Sequence, residues 1–387
     1  MEPLSQDDLL LLIGSVFSPG PEDKHLGILV DIPDTISPDN EQWKTRRAMA
    51  ADWATKIRAV RQKLDLESVD LIFYPNVHSN NADLPPKAYI ADKLLVPLIP
   101  DTLNNWTNGQ DFRSLLSGYQ MILAPTQFSA TAPLKLLAKE LNFRAATMPG
   151  FSESMIPALK LNYDEINQRV LCIKNILDPA TGMDIHFNLS SGQSCTTHFD
   201  LRFREAHASG GRFPESGTAG NLPSGECYIV PYEGELGTPS LSSGTLPVQL
   251  NNEVVLYKIE NNRAVEILSR GPVSEAEKEK INREQAYANI AEIGFGILND
   301  FAIKPVGQIL LDEKLGLHIA FGRSDHFGGS VGVKDFSSSE AVEHTDRIYL
   351  PEIQDQISIE RVDICYENQK MSLMIDNQYQ NGIFDRT

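Results

Sequence analysis

Five ionisable residues in the C-terminal half stand where strand or helix-end patterns predict burial, and their types suit a metal site. Carboxylates and imidazoles are common ligands of zinc, cobalt and manganese. Three carboxylates and two imidazoles together would suit two divalent ions, whose charge would acidify a bridging water and polarise a carbonyl group. The five residues are Glu226, Glu292, His318, His344 and Asp346.

Each candidate lies in a local pattern that would aim it at a common cleft. Glu226 follows a Gly-Asn-Leu-Pro-Ser-Gly turn and opens an apolar run. Glu292 ends an amphipathic helical pattern, where a carboxylate is unfavourable unless a cation is near. His318 lies in an apolar strand pattern, and His344 and Asp346 alternate so that they share one strand face.

Taken singly, the same residues also have purely structural explanations. Glu226 could be a surface carboxylate beside a turn, and Glu292 could pair with Arg283 or Lys304. A lone histidine in an apolar strand, such as His318, is more often a core residue than a ligand, and an HxD pair is frequent by chance. The metal hypothesis therefore depends on the five residues acting together.

The elements that must position these residues change in kind along the chain. Up to about residue 180, apolar strands such as Val69–Tyr74 alternate with amphipathic helices such as 40–64. This βαβ rhythm predicts an open, mostly parallel sheet, and it contains no nucleotide-binding glycine motif. We therefore predict an α/β protein with an α/β domain over 1–180, followed by a β-rich (α+β) metal-binding domain over 181–387.

The second domain is predicted from short strands and turns rich in Gly, Ser and Asn. The run Val254–Leu268 reads as a hairpin around Asn261 and Asn262, and 357–375 reads as another. One helix interrupts the strands; we predict that it begins at a capping box of Ser274 and Glu277 and ends with Glu292.

Composition excludes several classes of partner. The 387 residues include 34 Lys and Arg against 52 Asp and Glu, a net charge of −18. No basic stripe offsets this field, so nucleic acid is not an expected partner. No apolar run is long enough to span a bilayer. The acidic N-terminus is unlike a signal peptide, and the four cysteines lack CxxC spacing, so we expect a cytoplasmic protein with free thiols.

The order of the motifs resembles the aminopeptidase T and aminopeptidase S family of metallopeptidases. The resemblance covers roughly residues 180 to 387 and lies in the successive segments NLPSGE, AEIGFG, DEKLGLHIAFG and HTD. It implies a homodimer that encloses the active site, with an N-terminal α/β domain and a β-rich C-terminal domain. It also implies two divalent ions, Zn, Co or Mn, held by Glu226, Glu292, His318, His344 and Asp346.

The chain departs from that family at one position. The peptidases have a tyrosine seven residues after the strand histidine, and this chain has Asp325 there. An ionised carboxylate cannot donate a hydrogen bond to a developing oxyanion. His326 or Arg323 could substitute as a donor, or could be loop residues paired with the acidic surface.

The same motifs also resemble, more distantly, the dihydroxypyridine ring-opening dioxygenases. Those enzymes use one non-haem iron on a His/His/Asp set, with a histidine where this chain has Glu292. They lack counterparts of Glu226 and His318, both of which are present here. The retained pair favours the two-metal family.

We therefore expect a metal-dependent, aminopeptidase-like hydrolase that cleaves N-terminal peptide bonds of small peptides. Glu292 would bridge the ions or accept the proton of the attacking water as general base. The alternatives are a ring-opening dioxygenase of the dihydroxypyridine dioxygenase type, which would use one non-haem Fe(II) on a small-molecule substrate, and a metal-stabilised protein without catalytic activity.

Overall fold

The computed structural model describes residues 2–91 and 109–385. Its helices are α1 (Gln6–Phe17), α2 (Glu41–Val60), α3 (Phe112–Leu116), α4 (Thr131–Leu141), α5 (Ile156–Leu159), α6 (Tyr163–Leu177), α7 (Pro272–Arg283) and α8 (Ile309–Asp312). Its strands are β1 (His25–Ile32), β2 (Ser68–Pro75), β3 (Lys87–Ile90), β4 (Gln110–Asp111), β5 (Met121–Ala124), β6 (Arg144–Thr147), β7 (Gly182–Leu189), β8 (Ser194–Asp200), β9 (His207–Ser209), β10 (Ala219–Asn221), β11 (Glu226–Ile229), β12 (Ser243–Leu250), β13 (Glu253–Glu260), β14 (Arg263–Ile267), β15 (Ile290–Gly296), β16 (Leu317–Gly322), β17 (His344–Ile348), β18 (Ile357–Cys365), β19 (Lys370–Ile375) and β20 (Gln378–Tyr379).

The chain divides into two compact units. The first comprises Met1–Asn167 and Gly211–Ser224, and the second comprises Gln168–Gly210 and Gly225–Thr387. Within the described residues, no helix is both long and apolar enough to cross a membrane.

The first unit contains a sheet with the strand order β10-β6-β5-β1-β2-β3-β4. Strands β10, β6, β5, β1 and β2 pair in parallel, whereas β3 and β4 pair antiparallel. The almost continuous apolar sequence of β1 is buried, as expected of a strand covered on both faces. Helix α1 begins at a capping box, in which Ser5 and Asp8 exchange hydrogen bonds. The predicted parallel α/β architecture is confirmed.

The second unit contains two antiparallel sheets. One has the order β17-β16-β15-β11-β9, and the other has the order β14-β13-β12-β8-β7-β18-β19-β20. Both predicted hairpins occur, as β13–β14 and β18–β19. Asn261 and Asn262 both have positive φ, at 50° and 64°, which is the conformation of a tight hairpin turn that asparagine tolerates.

Two expectations about this half of the chain need revision. The helix predicted over 274–292 ends at Arg283, its N-cap is Gly271 rather than Ser274, and Glu292 lies in strand β15. The division between the units falls within α6 rather than at residue 180, and residues 211–224 return to the first unit because β10 pairs with β6. That pairing is non-local, so the local pattern of residues 211–224 does not reveal it.

Candidate metal centre

The five-stranded sheet of the second unit places all five predicted residues on one of its faces. Residues directly opposite one another in antiparallel strands point to the same side. Register pairs Glu226 with Gly296, and Gly294 with His318. Ala320 stands opposite both Glu292 and Asp346, and Gly322 stands opposite His344. Each of the five residues thus has a glycine or alanine opposite it on at least one neighbouring strand, and these small residues leave room above the sheet for the larger side chains.

The side chains form a continuous chain of close contacts. His318 Nε2 lies 3.7 Å from Glu226 Oε2 and 3.4 Å from Glu292 Oε1. The other Glu292 oxygen lies 3.2 Å from His344 Nε2, which is 3.5 Å from Asp346 Oδ1. The expected convergence is therefore present in the folded chain. Binding of metal by these residues stays a prediction.

The cluster is almost completely withdrawn from solvent. Glu226, Glu292 and His318 are buried, and His344 and Asp346 are largely covered. Burial alone would favour the neutral forms of such groups. Mutual pairing nevertheless holds the pKa of Glu292 below its usual range, against the effect of burial, through hydrogen bonds with His318 and His344. Burial likewise opposes charge on His318, but Glu292 and Glu226 raise its pKa to about 9. Without a cation, the imidazoles therefore carry protons that balance the carboxylates.

Two observations indicate that the cluster suits a divalent cation. Ligand atoms lie within 4.8 Å of one another in two groups that share Glu292, one with Glu226 and His318 and the other with His344 and Asp346. Among the described residues, Glu226 Oε2 and His318 Nδ1 are buried without a hydrogen-bond partner, and unpartnered polar atoms of this kind are costly. Carboxylate and imidazole donors are also the set that borderline divalent metals prefer.

The two imidazoles differ in how they are held. His344 Nδ1 donates a hydrogen bond to the Arg323 carbonyl at 2.8 Å, which leaves Nε2 facing Glu292 and Asp346. A carbonyl bonded in this way to the far ring nitrogen fixes the tautomer of a metal-binding histidine. Within residues 2–91 and 109–385, His318 Nδ1 has no such partner. The ligand group of Glu292, His344 and Asp346 is therefore better preorganised for metal binding than the group that contains His318.

Asp325 does not replace the phenol of the resembling peptidases. It begins a short 3-10 turn, Asp325–Phe327, and its carboxylate accepts a hydrogen bond from Arg323 Nε at 2.6 Å. Burial opposes ionisation, but Arg323 outweighs it and holds the pKa of Asp325 below its usual value. An ionised, paired carboxylate offers no proton to a substrate. Arg323 is occupied by the same pair.

A wall of aromatic rings, formed by His207, Tyr228, His326 and Phe327, lies beside His344. The Phe327 ring centroid is 5.3 Å from that of His344 and 4.9 Å from that of Tyr228, and His207 stacks on Tyr228 at 5.2 Å. The His326 ring lies 5.4 Å from His344, and burial lowers its pKa to about 4, so this imidazole is neutral at pH 7.

Sequence analysis missed Tyr228 and Lys314. Strand alternation from Glu226 places Tyr228 on the site face, and this signal was available in the sequence. Burial and then the nearby Glu292 and Glu226 raise the pKa of its phenol far above neutrality, so it remains an O–H donor. Lys314 is 1% exposed, and its Nζ contacts Glu226 Oε1 at 2.5 Å and also Glu313. Lys314 follows Asp312 and Glu313 directly in the sequence, and such a run of charged residues is typical of an exposed segment. No sequence signal therefore indicated that Lys314 is buried.

A further group of potential ligands lies on the eight-stranded sheet. Asp184, His198 and Cys365 come together there. Asp184 already pairs with His198 Nδ1 at 2.7 Å and with Lys370 Nζ at 2.5 Å. These ion pairs satisfy the carboxylate without a metal. Cys172, Cys195, Cys227 and Cys365 all lie in the described residues, and none of them forms a disulfide bond there.

Comparison with known proteins relates the chain to others at the level of fold. No family model matches the sequence, and no curated protein matches it. Among solved structures, the chain is similar to 2,5-dihydroxypyridine dioxygenase from Pseudomonas putida, with a TM-score of 0.57 and 16% identity. The match covers 99% of this chain and 100% of that one. The chain therefore shares the two-domain α/β fold of a known enzyme over essentially its whole length.

Proposed function

We propose that this chain is a metal-dependent dioxygenase that opens the ring of a hydroxylated aromatic or heteroaromatic substrate. The observation that carries the proposal is the three-ligand group of Glu292, His344 and Asp346, with aromatic rings packed beside it. The similarity in fold to a 2,5-dihydroxypyridine dioxygenase supports the same conclusion. A bound Fe(II) would supply activation of dioxygen, both atoms of which would enter the ring-opened product.

The chain's own residues suit a flat, hydroxylated substrate. Tyr228 and Phe327 present ring faces and edges beside His344, and aromatic rings pack favourably on other rings in offset or edge-on geometry. His326 is neutral at pH 7 and could accept a proton from a substrate hydroxyl. Tyr228 could donate a hydrogen bond to a substrate oxygen. Together these residues would orient a ring against the metal and handle its protons.

One feature favours a second candidate, the aminopeptidase-like hydrolase. The resembling dioxygenases have a histidine at the position of Glu292 and lack Glu226 and His318. Here both residues are present, and His318 contacts both glutamates. A site able to hold two ions would suit hydrolysis by a metal-bound water. The absence of a phenol at Asp325 weighs against efficient peptidase activity.

Reconstitution with defined metals separates the two candidates. The purified chain would be stripped with a chelator and reloaded anaerobically with Fe(II), or with Zn, Co or Mn. We expect oxygen uptake with dihydroxypyridines or related hydroxylated aromatic acids only after Fe(II) loading, in proportion to the loss of aromatic absorbance. Hydrolysis of aminoacyl anilides or short peptides after Zn, Co or Mn loading would instead support the second candidate. His344→Ala is the control and should abolish either activity.

Three further expectations belong to this proposal. The substrate is a small molecule, the chain forms a homodimer, and the protein is cytoplasmic. Light scattering after gel filtration would give the mass of the particle in solution and test the dimer directly. Absence of DNA or RNA binding at low salt would test the exclusion of nucleic acid.

A further inference from the structure

The buried Lys314 lies at one end of the metal cluster. It belongs to the 3-10 turn Glu313–Leu315 that precedes β16, and its ammonium group contacts Glu226 Oε1 and Glu313. Gly296 makes this approach possible, because a Cβ at that position would lie 2.1 Å from the Lys314 backbone. Gly296 also stands opposite Glu226 in register. The fold thus directs a fixed positive charge to the Glu226 end of the site.

We propose, as an inference that rests on the proposed function, that the Lys314 ammonium takes the place of a second divalent ion at the Glu226–His318 end of the cluster. The chain would then bind one divalent ion, at Glu292, His344 and Asp346. Lys314 is a positioning residue in this scheme, since it acts through Glu226 and touches no substrate.

Charge and hydrogen bonding distinguish the two ends of the cluster. At the Glu226 end, one carboxylate oxygen is already bonded to the ammonium group of Lys314, whose side chain is 2% exposed. A divalent ion on the other oxygen of Glu226 would lie close to that ammonium, and like charges repel strongly where water is excluded. In the described part of the chain, the ion pairs of Glu292 and Asp346 involve only imidazoles.

The imidazoles show the same asymmetry. His344 is oriented as a ligand by the Arg323 carbonyl, whereas His318 Nδ1 has no hydrogen-bond partner in the part of the chain that the structure describes. A hydrogen-bond partner on the far ring nitrogen is typical of histidines that hold metal directly. The Glu292–His344–Asp346 end therefore has both the preorganised imidazole and the carboxylates without a bound ammonium.

Metal stoichiometry tests the inference without relying on activity. The stripped protein would be titrated with Co²⁺, and bound ions would be counted by calorimetry and by elemental analysis after gel filtration. We expect one ion per wild-type chain, loss of that ion in His344→Ala, and retention within roughly tenfold of wild-type affinity in Glu226→Gln. Lys314→Met should bind a second ion roughly 100-fold or more tightly than the wild type does.

A matched lysine variant controls for the loss of a positive charge. Lys304 forms a surface ion pair with Glu352, so Lys304→Met should leave the stoichiometry unchanged. Because Lys314→Met leaves the carboxylates of Glu226 and Glu313 without their cation, the folding of this variant is checked by circular dichroism, and Glu226→Gln provides the milder test.

Three results would overturn the inference while leaving the metal site itself intact. The first is that the wild type binds two ions with high affinity. The second is that Glu226→Gln loses the ion as completely as His344→Ala does. The third is that Lys314→Met folds and still binds a single ion. Absence of any bound ion in the wild type would refute the proposed function instead.

Discussion

Gly294 is the position where a single methyl group should disturb the site most directly. It stands opposite His318 on β16 and opposite Tyr228 on β11, on the face that carries the cluster. A Cβ at this position would lie 2.0 Å from both Cε1 and Nε2 of His318, whereas ordinary contacts begin at 3.4 Å. The difference is 1.4 Å, and His318 is 1% exposed, so its ring has little free space into which to move.

We therefore expect Gly294→Ala to displace the His318 imidazole from Glu226 and Glu292. Overpacking of a buried site typically costs about 1–3 kcal/mol of unfolding free energy. A displacement of ~1 Å at a reacting centre typically lowers activity about 100-fold. Urea unfolding measures the first effect, and metal affinity together with turnover under the conditions of the reconstitution assay measures the second.

Two controls make this prediction specific to the clash. Gly14 lies in helix α1, where an added Cβ would meet none of the described residues within 4 Å, so Gly14→Ala should stabilise the protein by about 0.5–1 kcal/mol. The double variant Gly294→Ala/His318→Ala removes the clashing ring, so it should be less destabilised than the sum of the two single variants. Wild-type stability and metal affinity in Gly294→Ala would refute the reasoning.

The remaining predictions concern ligands, the Asp325 position and acid stability. His344→Ala and Asp346→Ala should each lose bound metal but keep the far-ultraviolet circular dichroism of a folded chain, because the ligands lie in one unit only; full metal occupancy in either variant would contradict the assignment. Wild-type protein loaded with zinc, cobalt or manganese should hydrolyse aminoacyl anilides weakly or not at all, and on a peptidase scaffold Asp325→Tyr should raise the rate by up to roughly 100-fold; robust wild-type turnover would argue against this. Burial opposes ionisation of Asp200, but hydrogen bonds from Arg202 and from a backbone amide lower its pKa below 3.8. The ionised carboxylate therefore stabilises the folded state above that pH, and this stabilisation is lost as pH falls through the lowered pKa. Asp200→Asn should lower the free energy of unfolding by about 2 kcal/mol at pH 7 and make it less dependent on pH in acid, as measured by urea unfolding at several pH values. The same dependence on acid pH in the variant and the wild type would exclude this role.

Local sequence patterns determined much of this protein. Strand and helix periods predicted the antiparallel hairpins, which form between residues near in sequence, and the alternation of strands with helices predicted the parallel α/β unit. The Asn261-Asn262 turn is such a case, since asparagine tolerates the positive φ that both positions adopt. The candidate ligands were also visible, because Glu226, His318 and the His344–Asp346 pair lie at or within strands whose apolar neighbours indicate burial.

Tertiary structure decided the features that depend on which segments meet. Glu292 was expected to end a helix, yet it lies in β15, whose residues are all buried. A short apolar run of this kind does not by its period distinguish a buried strand from a helix. The charge of Lys314 suggested solvent, and only the meeting of its turn with Gly296 and Glu226 gives the buried ammonium its partner. The sequence therefore supplied the ionisable groups, whereas strand register decided which of them share a face, because side-chain direction in a sheet follows pairing with distant strands.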